Sequence, residues 1–307
     1  MTKTDLIAIF FGMLAALMLG SGSVAVRYLT TDLHGMQIAV FRLVIACTVI
    51  FAVLRFSGRR VDILRIDRYQ LLAIVGFSLN YVCFHFGLEQ TTATNAIVLE
   101  NTAPFFVLLI LAVAGVEKVR VWDALATFLA LVGVYFTVRH DFEVGSVGEI
   151  GDFWEIGAAV AWAIFIIGSA RSVRNTRYAM DRVEVLFKIL LPCVFILSPS
   201  LWFYPLNAKA TDIYVLLLVG LLPTTLGYYF WYEAMAIVST LTSALLFVLS
   251  VVFTFVVSFI ALGEELTIGM LVGAVFIMTA VVLPNVIQKP AEKPAGENSG
   301  GMDGLQE

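Results

Sequence analysis

The stretch Thr91-Thr92-Ala93-Thr94-Asn95-Ala96 returns later in the chain as Ser239-Thr240-Leu241-Thr242-Ser243-Ala244. An apolar segment precedes each copy and further apolar segments follow it, so the surrounding sequence repeats as well. A unit of five apolar segments crosses a membrane an odd number of times, and two tandem units must therefore lie in opposite orientations. An inverted repeat of this kind is typical of transporters.

The composition places the chain in a membrane. Its 307 residues are 60% hydrophobic and only 14% charged, a balance far from that of soluble domains. A membrane-spanning helix needs about 20 mainly apolar residues. The segments that meet this requirement are residues 6–26, 35–54, 69–88, 93–116, 121–138, 153–170, 183–204, 213–232, 241–262 and 266–287.

We therefore predict an all-α polytopic membrane protein with ten transmembrane helices, arranged as two inverted five-helix repeats. The first repeat covers residues 1–140 and the second covers residues 153–287. Residues 141–152 form an outer linker between them. Residues 288–307 are rich in Gly, Pro and charge, and we expect a disordered cytoplasmic tail there.

The Lys and Arg residues are distributed unevenly between the two sides of the membrane. Fourteen lie in connecting segments on the side of the N-terminus, and three lie in the others. The positive-inside rule then predicts that both termini are cytoplasmic. We expect the protein to reside in the inner (plasma) membrane. A patch for lipid phosphates or nucleic acid is an alternative reading of the arginines, but topology explains them more simply, and no nucleic-acid partner is expected.

Neither a metal site nor a cofactor site is indicated. The three cysteines lie alone in different apolar segments, and the three histidines are scattered, which favours packing roles over ligation. The run Gly20-Ser21-Gly22-Ser23 is not a nucleotide loop, because no strand precedes it. It permits either close helix packing or contact with a substrate. The cysteines are Cys47, Cys83 and Cys193, and the histidines are His34, His85 and His140.

Glu100 is the clearest candidate for a transport residue. A carboxylate within the bilayer is costly, so it usually faces a cavity or a partner. Glu100 lies beside Asn101, and Pro104 cannot donate a hydrogen bond to the carbonyl of residue 100, which opens the helix there. The second repeat has Val248 and Leu249 at the equivalent positions, so the fold does not demand this polar pair. The alternative is a buried ion pair that only holds helices together.

Two basic residues within the apolar segments need partners. Arg42 lies about as deep in its helix as Glu100 does, at about 1.5 Å per residue, and we predict that the two pair. Lys188 is the counterpart of Arg42 in the second repeat, with Glu233 or Glu184 as its partner. These two bases could serve a structural or gating role as readily as they could contact a substrate.

Further polar and aromatic side chains are candidates for the lining of a central cavity, which would suit small amphipathic metabolites. Interfacial anchoring or packing is the alternative for the aromatic residues. Pro192 is expected to open the carbonyl of Lys188 as Pro104 opens that of Glu100. Glu117 and Glu264 close their helices, where capping and loop anchoring are expected. The lining candidates are Asn80, His85, Trp162, Tyr228, Tyr229 and Tyr232.

These features together resemble the drug/metabolite transporter superfamily, in particular its EamA-like ten-helix members. The resemblance covers nearly the whole chain and rests on the two threonine-rich copies, Pro104, the acidic residues Glu117 and Glu264, and the basic positions Phe41-Arg42 and Phe187-Lys188. It also rests on small residues at Ala126/Gly133 and Gly273/Ala280. Two positions depart from the family pattern, namely Val252 opposite Pro104 and Leu19 in place of a common Trp.

The resemblance implies a secondary active transporter that moves small organic metabolites, amino acids or related compounds, by alternating access. Export is the expected direction, and membrane lipid surrounds a monomer or homodimer. Protons are the candidate coupling ion for a different reason, namely that Glu100 is an acid far inside a segment with no counterpart in the other repeat. An uncoupled facilitator or exchanger of a metabolite or vitamin is one alternative. An intramembrane enzyme or a receptor is another, although the sequence lacks a hydrolase or metalloprotease motif.

Overall fold

The computed structural model of the chain describes residues 3–88, 90–91, 93–115, 117–138, 149–174, 176–263 and 265–287. Regular secondary structure in these ranges is helical. The α-helices are α1 (Lys3–Leu29), α2 (Gly35–Phe56), α3 (Arg68–Leu88), α4 (Ala93–Glu100), α5 (Ala103–Ala114), α6 (Val121–Val138), α7 (Glu149–Arg174), α8 (Ala179–Leu197), α9 (Ala210–Val219), α10 (Tyr228–Met235), α11 (Thr240–Leu262) and α12 (Ile268–Ile287).

These helices make ten apolar segments, because two segments are built from more than one helix. Helices α4 and α5 follow each other with a short interruption, and a π-helical turn at Gly220–Gly227 joins α9 to α10. Eight segments within the described residues are long and apolar enough to cross a membrane, and two shorter apolar helices accompany them at 98–114 and 268–284. The predicted all-α polytopic fold with two five-helix repeats is confirmed.

Glycine residues let neighbouring helices approach until their backbones touch. A Cβ atom at Gly76 of α3 would lie 2.5 Å from the backbone nitrogen of Phe165 in α7. A Cβ atom at Gly273 of α12 would lie 2.5 Å from the carbonyl oxygen of Gly133 in α6. Since lipid tails are as apolar as the helix surfaces, such close packing is a main source of helix association in a membrane.

The Gly20-Ser21-Gly22-Ser23 run serves packing. A Cβ atom at Gly20 would lie 2.6 Å from the carbonyl oxygen of Ser250 in α11, and one at Gly22 would lie 2.6 Å from the Cβ atom of Pro223. Of the two interpretations that the sequence allows, these contacts support helix packing, because a larger side chain at either position would separate α1 from the second repeat.

Pro192 and Pro223 lie inside helical segments of the second repeat. Helix α8 runs without interruption through Pro192, so the missing N–H group at Pro192 does not end this helix as the one at Pro104 ends α4. Pro223, which the sequence analysis did not single out, lies in the π-helical turn. There the hydroxyls of Thr224 and Thr225 donate to the carbonyl oxygens of Val219 and Gly220, each at 2.8 Å. These bonds give the backbone carbonyls of the π-helical turn hydrogen-bond donors.

Large apolar side chains cover the outside of the bundle, as a lipid-facing surface requires. Phe10 and Ile260 are 59% and 75% exposed, respectively. The predicted tail at 288–307 and most of the predicted linker, residues 141–148, lie outside the described residues. The exact division into two domains and a linker stays a prediction.

Candidate functional site

The site begins at the interruption between α4 and α5. Helix α4 ends at Glu100, Asn101 and Thr102 lie in the gap, and Pro104 stands in the first turn of α5. The hydroxyl of Thr102 donates to the carbonyl of Leu99 at 2.6 Å. Pro104 has no N–H group to donate to the carbonyl of Glu100, four residues earlier. The interruption therefore leaves Glu100 at a helix end within the crossing.

Asn80 of α3 links the site across three helices. Its Nδ2 atom donates to Oε1 of Glu100 at 3.3 Å and to the carbonyl oxygen of Ala158 in α7 at 3.0 Å. Asn80 is 4% exposed, so these bonds form in surroundings of low dielectric constant, where hydrogen bonds are strong. The predicted site residues Asn80 and Glu100 are thus in direct contact.

Arg42 of α2 does not form the predicted ion pair with Glu100. Its Nη2 atom donates to the hydroxyl of Tyr81, and its guanidinium lies over the Tyr81 ring with Cζ 5.3 Å from the ring centroid. The charges of Arg42 and Glu100 still act on each other through space. Because Tyr81 and Asn80 are consecutive in α3, this helix connects the base to the acid indirectly.

Sequence reasoning missed Tyr81 and also Glu155 of α7. Glu155 is fully buried, and neither of its carboxylate oxygens has a hydrogen-bond partner within the described part of the chain. A signal existed in the spacing, since Glu155, Ala158 and Trp162 recur at i, i+3 and i+7 and therefore share one helix face. Ala158 accepts the bond from Asn80 on this face, and Trp162 was itself a predicted site residue.

The predicted aromatic residues lie in a packed cluster. Trp162 stacks on Trp231 with ring centroids 5.9 Å apart, and Tyr228 lies edge-on to Phe165 at 6.3 Å. The hydroxyl of Tyr232 donates to Oγ of Ser169 at 3.0 Å. These rings are almost completely buried, so packing, the alternative reading, describes their surroundings in this conformation.

His85 lies nearer the end of the bundle that carries the α1–α2 and α8–α9 connections. Its Nδ1 atom is 2.7 Å from the carbonyl oxygen of Tyr81, and its side chain borders a mainly apolar cavity of about 210 Å³ beside Met36 and Tyr204. The ring of His34 stacks on Tyr204 at 3.5 Å. His85 thus contacts the site through the Tyr81 backbone and faces this cavity with its ring.

Lys188 pairs with one of its two predicted partners. Its Nζ atom is 2.9 Å from Oε1 of Glu184, one helical turn earlier in α8. The other predicted partner, Glu233, instead accepts two hydrogen bonds from Arg182 at 2.8 and 2.6 Å. A bidentate arginine–carboxylate pair of this kind is geometrically specific, and it joins α8 to α10. Within the part of the chain that the structure describes, Lys188 therefore has no polar contact with the Glu100 cluster.

Glu117 connects the two repeats at the opposite end of the bundle. It accepts hydrogen bonds from the hydroxyl of Thr240 at 2.5 Å and from the guanidinium of Arg174. Burial by itself raises the pKa of this carboxyl, but the charge of Arg174 and the bonds from Thr240 together hold the pKa of Glu117 below its ordinary value. The capping and anchoring role predicted for Glu117 matches these contacts, whereas Glu264 lies outside the described residues.

Comparison with known proteins supplies the family. A family model described as the EamA-like transporter family matches residues 6–139 and again residues 149–286. An "Uncharacterized transporter" of Haemophilus influenzae is 20% identical over 76% of this chain and 78% of its own length. Another of Archaeoglobus fulgidus is 26% identical over 71% of this chain and 75% of its own.

A mouse relative and a solved structure extend the comparison. "Solute carrier family 35 member G1" of Mus musculus is 23% identical over 70% of this chain and 56% of its own length. One crystal structure superposes with a TM-score of 0.74 at 17% identity, covering 91% of this chain and 96% of that one. At this identity, the structural likeness concerns the fold alone.

Proposed function

Since the chain belongs to the EamA-like transporter family, within the drug/metabolite transporter superfamily, we propose that it is a proton-linked secondary active transporter of small organic metabolites. Family membership and the names of its relatives indicate a membrane transporter rather than an enzyme. The proposed substrates are amino acids or related compounds, and the proposed direction is export. The two five-helix repeats would rock about a central cavity, which would open to the two sides of the membrane in turn.

The interrupted crossing carries this proposal. Glu100 lies at the end of α4, and a helix end within a membrane exposes backbone groups that a continuous helix keeps bonded to one another. Discontinuous helices with ionisable residues are the usual place where transporters bind substrates and coupling ions. The charge of Arg42 and the amide of Asn80 both act on Glu100, so a movement of α3 would change its protonation.

Alternating access requires contacts between the repeats that break at one end while they form at the other. Both ends of the bundle carry polar contacts between the two halves. At the arginine-rich end these are Arg59–Asp181 at 2.9 Å and Arg174–Glu117, and at the opposite end they are Lys209–Asp32 at 2.6 Å and Thr91–Asp152 at 2.5 Å. Partly exposed polar contacts of this kind contribute little free energy each, so they can break and re-form during a transport cycle.

We also propose that the arginine-rich end and both termini are cytoplasmic, in the inner (plasma) membrane, which the uneven distribution of Lys and Arg supports. Ser57 and Asn207 are exposed residues at opposite ends of the bundle. Single cysteines at these positions, in a background without the native cysteines, provide the test. An impermeant thiol reagent added to intact cells should label position 207 and not position 57, and the reverse pattern would invert the topology.

Transport by reconstituted protein tests the coupling. Candidate amino acids, amines, nucleosides and vitamins are first screened by radiolabel flux into proteoliposomes, and the best substrate is then measured with and without an imposed pH gradient. Glu100→Gln keeps the shape of the side chain but cannot titrate, so it should lose uphill accumulation while keeping part of the exchange flux. Glu184→Gln, at the Lys188 pair, is the matched control and should keep its response to the gradient.

An uncoupled facilitator or exchanger is the second candidate, and one observation favours it. Glu100 has a hydrogen-bond donor in Asn80 and a nearby positive charge in Arg42, and each of them favours the ionised form of this carboxyl group, as a purely structural role would require. Wild-type flux that ignores the pH gradient, together with full exchange in Glu100→Gln, would select this second candidate.

A further inference from the structure

Glu155 is a buried acid that the function proposed above does not use. It lies in α7, and its side chain has no exposed surface. Counted from the first residue of α7, it lies about 9 Å along the helix at about 1.5 Å per residue. Both carboxylate oxygens lack a hydrogen-bond partner in the described ranges. An acid placed so deeply without a partner calls for a physical explanation.

The packing of α7 on α3 leaves a space for this acid. Gly87 faces Glu155, and a Cβ atom at Gly87 would lie 2.8 Å from the carboxyl carbon of Glu155. A side chain at Gly87 would push the flexible end of Glu155 out of this position. With glycine there, the carboxyl group lies against α3 and has no exposed surface, so water does not reach it while the two helices stay in contact.

The groups around Glu155 do not offset a negative charge. Cys83 faces it from α3, Glu100 faces it from α4, and Asp152 precedes it in α7. Two of these are acids, and the nearby base Arg42 bonds to Tyr81 on the side of Glu100. An ionised carboxylate without water, a base or a hydrogen-bond donor costs many kcal/mol, so such a group takes up a proton instead.

Asn80 places the two acids in one cluster. Its amide donates to Glu100 and to the carbonyl of Ala158, which lies one helical turn after Glu155. Glu100 has a donor and a nearby base, whereas Glu155 has neither among the described residues. Both acids are buried, but Asn80 and Arg42 favour the charged form of Glu100 and not that of Glu155, so Glu155 is the better placed of the two to hold a proton.

We propose that Glu155 is a second proton-binding site of the transporter, acting together with Glu100. In this conformation Glu155 holds the proton as a neutral carboxylic acid. When α3 and α7 separate, water and the amide of Asn80 reach Glu155, and its proton leaves either to water or to Glu100. A proton is the ligand that fits, because it needs no cavity, and the two described cavities lie elsewhere. The coupling role rests on the proton-linked function proposed above.

Infrared spectroscopy tests the proton itself, independently of transport. Reconstituted full-length protein at neutral pH should show the carbonyl stretch of a protonated carboxylic acid, and the band should shift in D₂O. Glu155→Gln should remove this band, whereas Glu100→Gln and the control Glu184→Gln should keep it. Absence of the band from the wild type, or its persistence in folded Glu155→Gln, overturns the proposal.

A second variant covers the case in which Glu155→Gln does not fold. Glu155→Asp keeps the acid and should move the band to the frequency of an aspartic acid, and a band that stays in place contradicts the assignment. Flux then separates the two proposals. Gradient-driven flux that persists in Glu155→Gln overturns the coupling role, while a wild-type band combined with flux that ignores the gradient retains the proton site and overturns the proposed function.

Discussion

The fourth crossing and the ninth crossing occupy the same place in the two repeats, yet they differ in form. The fourth consists of α4 and α5 with a gap between them, whereas the ninth is the continuous helix α11. Val248 is fully buried where the first repeat has Glu100, and Val252 stands where it has Pro104. The fold thus needs only a helix at this place. The acid and the interruption are additions that one repeat carries.

Placing an acid in the ninth crossing is the strongest test of this difference between the two crossings. Val248→Glu puts a carboxyl into a fully buried apolar position, and we expect a loss of about 3 kcal/mol or more in stability. Unfolding in detergent and the yield of folded protein measure the loss. Val248→Gln is the control that keeps the size without the charge. A Val248→Glu protein as stable as the wild type would show that the second repeat also accommodates an acid.

A proline in the ninth crossing should have the next largest effect. Val252→Pro removes the hydrogen bond to the carbonyl of residue 248 in the middle of α11, which costs about 3 kcal/mol. Pro104 avoids this cost because α5 begins just before it. Thermal unfolding in detergent, with Val252→Ala as the control, measures the difference. Equal midpoints for the two variants would mean that α11 tolerates an interruption as the fourth crossing does.

Glu117 links the two crossings, because it follows the fourth and accepts a hydrogen bond from Thr240 at the start of the ninth. Its pKa is lower in the folded protein, so its contribution is complete above the unfolded pKa of about 4.3 and is lost as the pH falls through the lower folded value. We expect Glu117→Gln to cost about 1.5 kcal/mol at neutral pH.

The pH dependence of that cost is the measurement. The free energy of unfolding of wild type and Glu117→Gln is compared from neutral pH downwards, and the difference between the two proteins should disappear below about pH 4. Asp32→Asn, at an exposed pair with Lys209, is the control for general effects of acid. A difference in the free energy of unfolding that stays constant with pH would show that the hydrogen bonds of Glu117 matter and that its charge does not.

Pro104→Ala should have the smallest effect on stability and a clear effect on transport. It restores an N–H group near the carbonyl of Glu100, and because Pro104 stands in the first turn of α5, stability should change by no more than about 1 kcal/mol. Substrate flux should fall several-fold as the gap closes. Pro205→Ala, in an exposed loop, is the control. Unchanged flux would show that the gap does not depend on Pro104.

Much of the fold could be read from local sequence, because a membrane helix satisfies its own backbone. Ten apolar stretches were enough to predict ten segments. The break before Pro104 follows from one missing N–H group. At Pro192 the same missing N–H group does not interrupt the helix. A proline removes one hydrogen bond in both places, but the packing around each helix decides whether the helix then opens.

The candidate site was less predictable, because partners depend on where side chains meet. Glu155 stood only two residues inside the segment predicted at 153–170, where an acid suggests a membrane surface. Helix α7 begins earlier, at Glu149, and packs on α3 at Gly87, which encloses the acid. Arg42 and Glu100 were placed at the same depth, but depth does not fix the direction of a side chain, and Arg42 bonds to Tyr81.

The sequence by itself determined the membrane location, the number of apolar segments, the duplication and the family, since each depends on residue type and order along the chain. Only the tertiary structure decided that Asn80 joins Glu100 to α7 and that Glu155 is buried without a partner. It also decided that Glu117 ties the first repeat to the start of α11. The physical reason is the distance along the chain over which each interaction acts. Hydropathy and backbone hydrogen bonding act within one helix, whereas a hydrogen bond or a buried charge depends on atoms that only helix packing brings within about 3 Å.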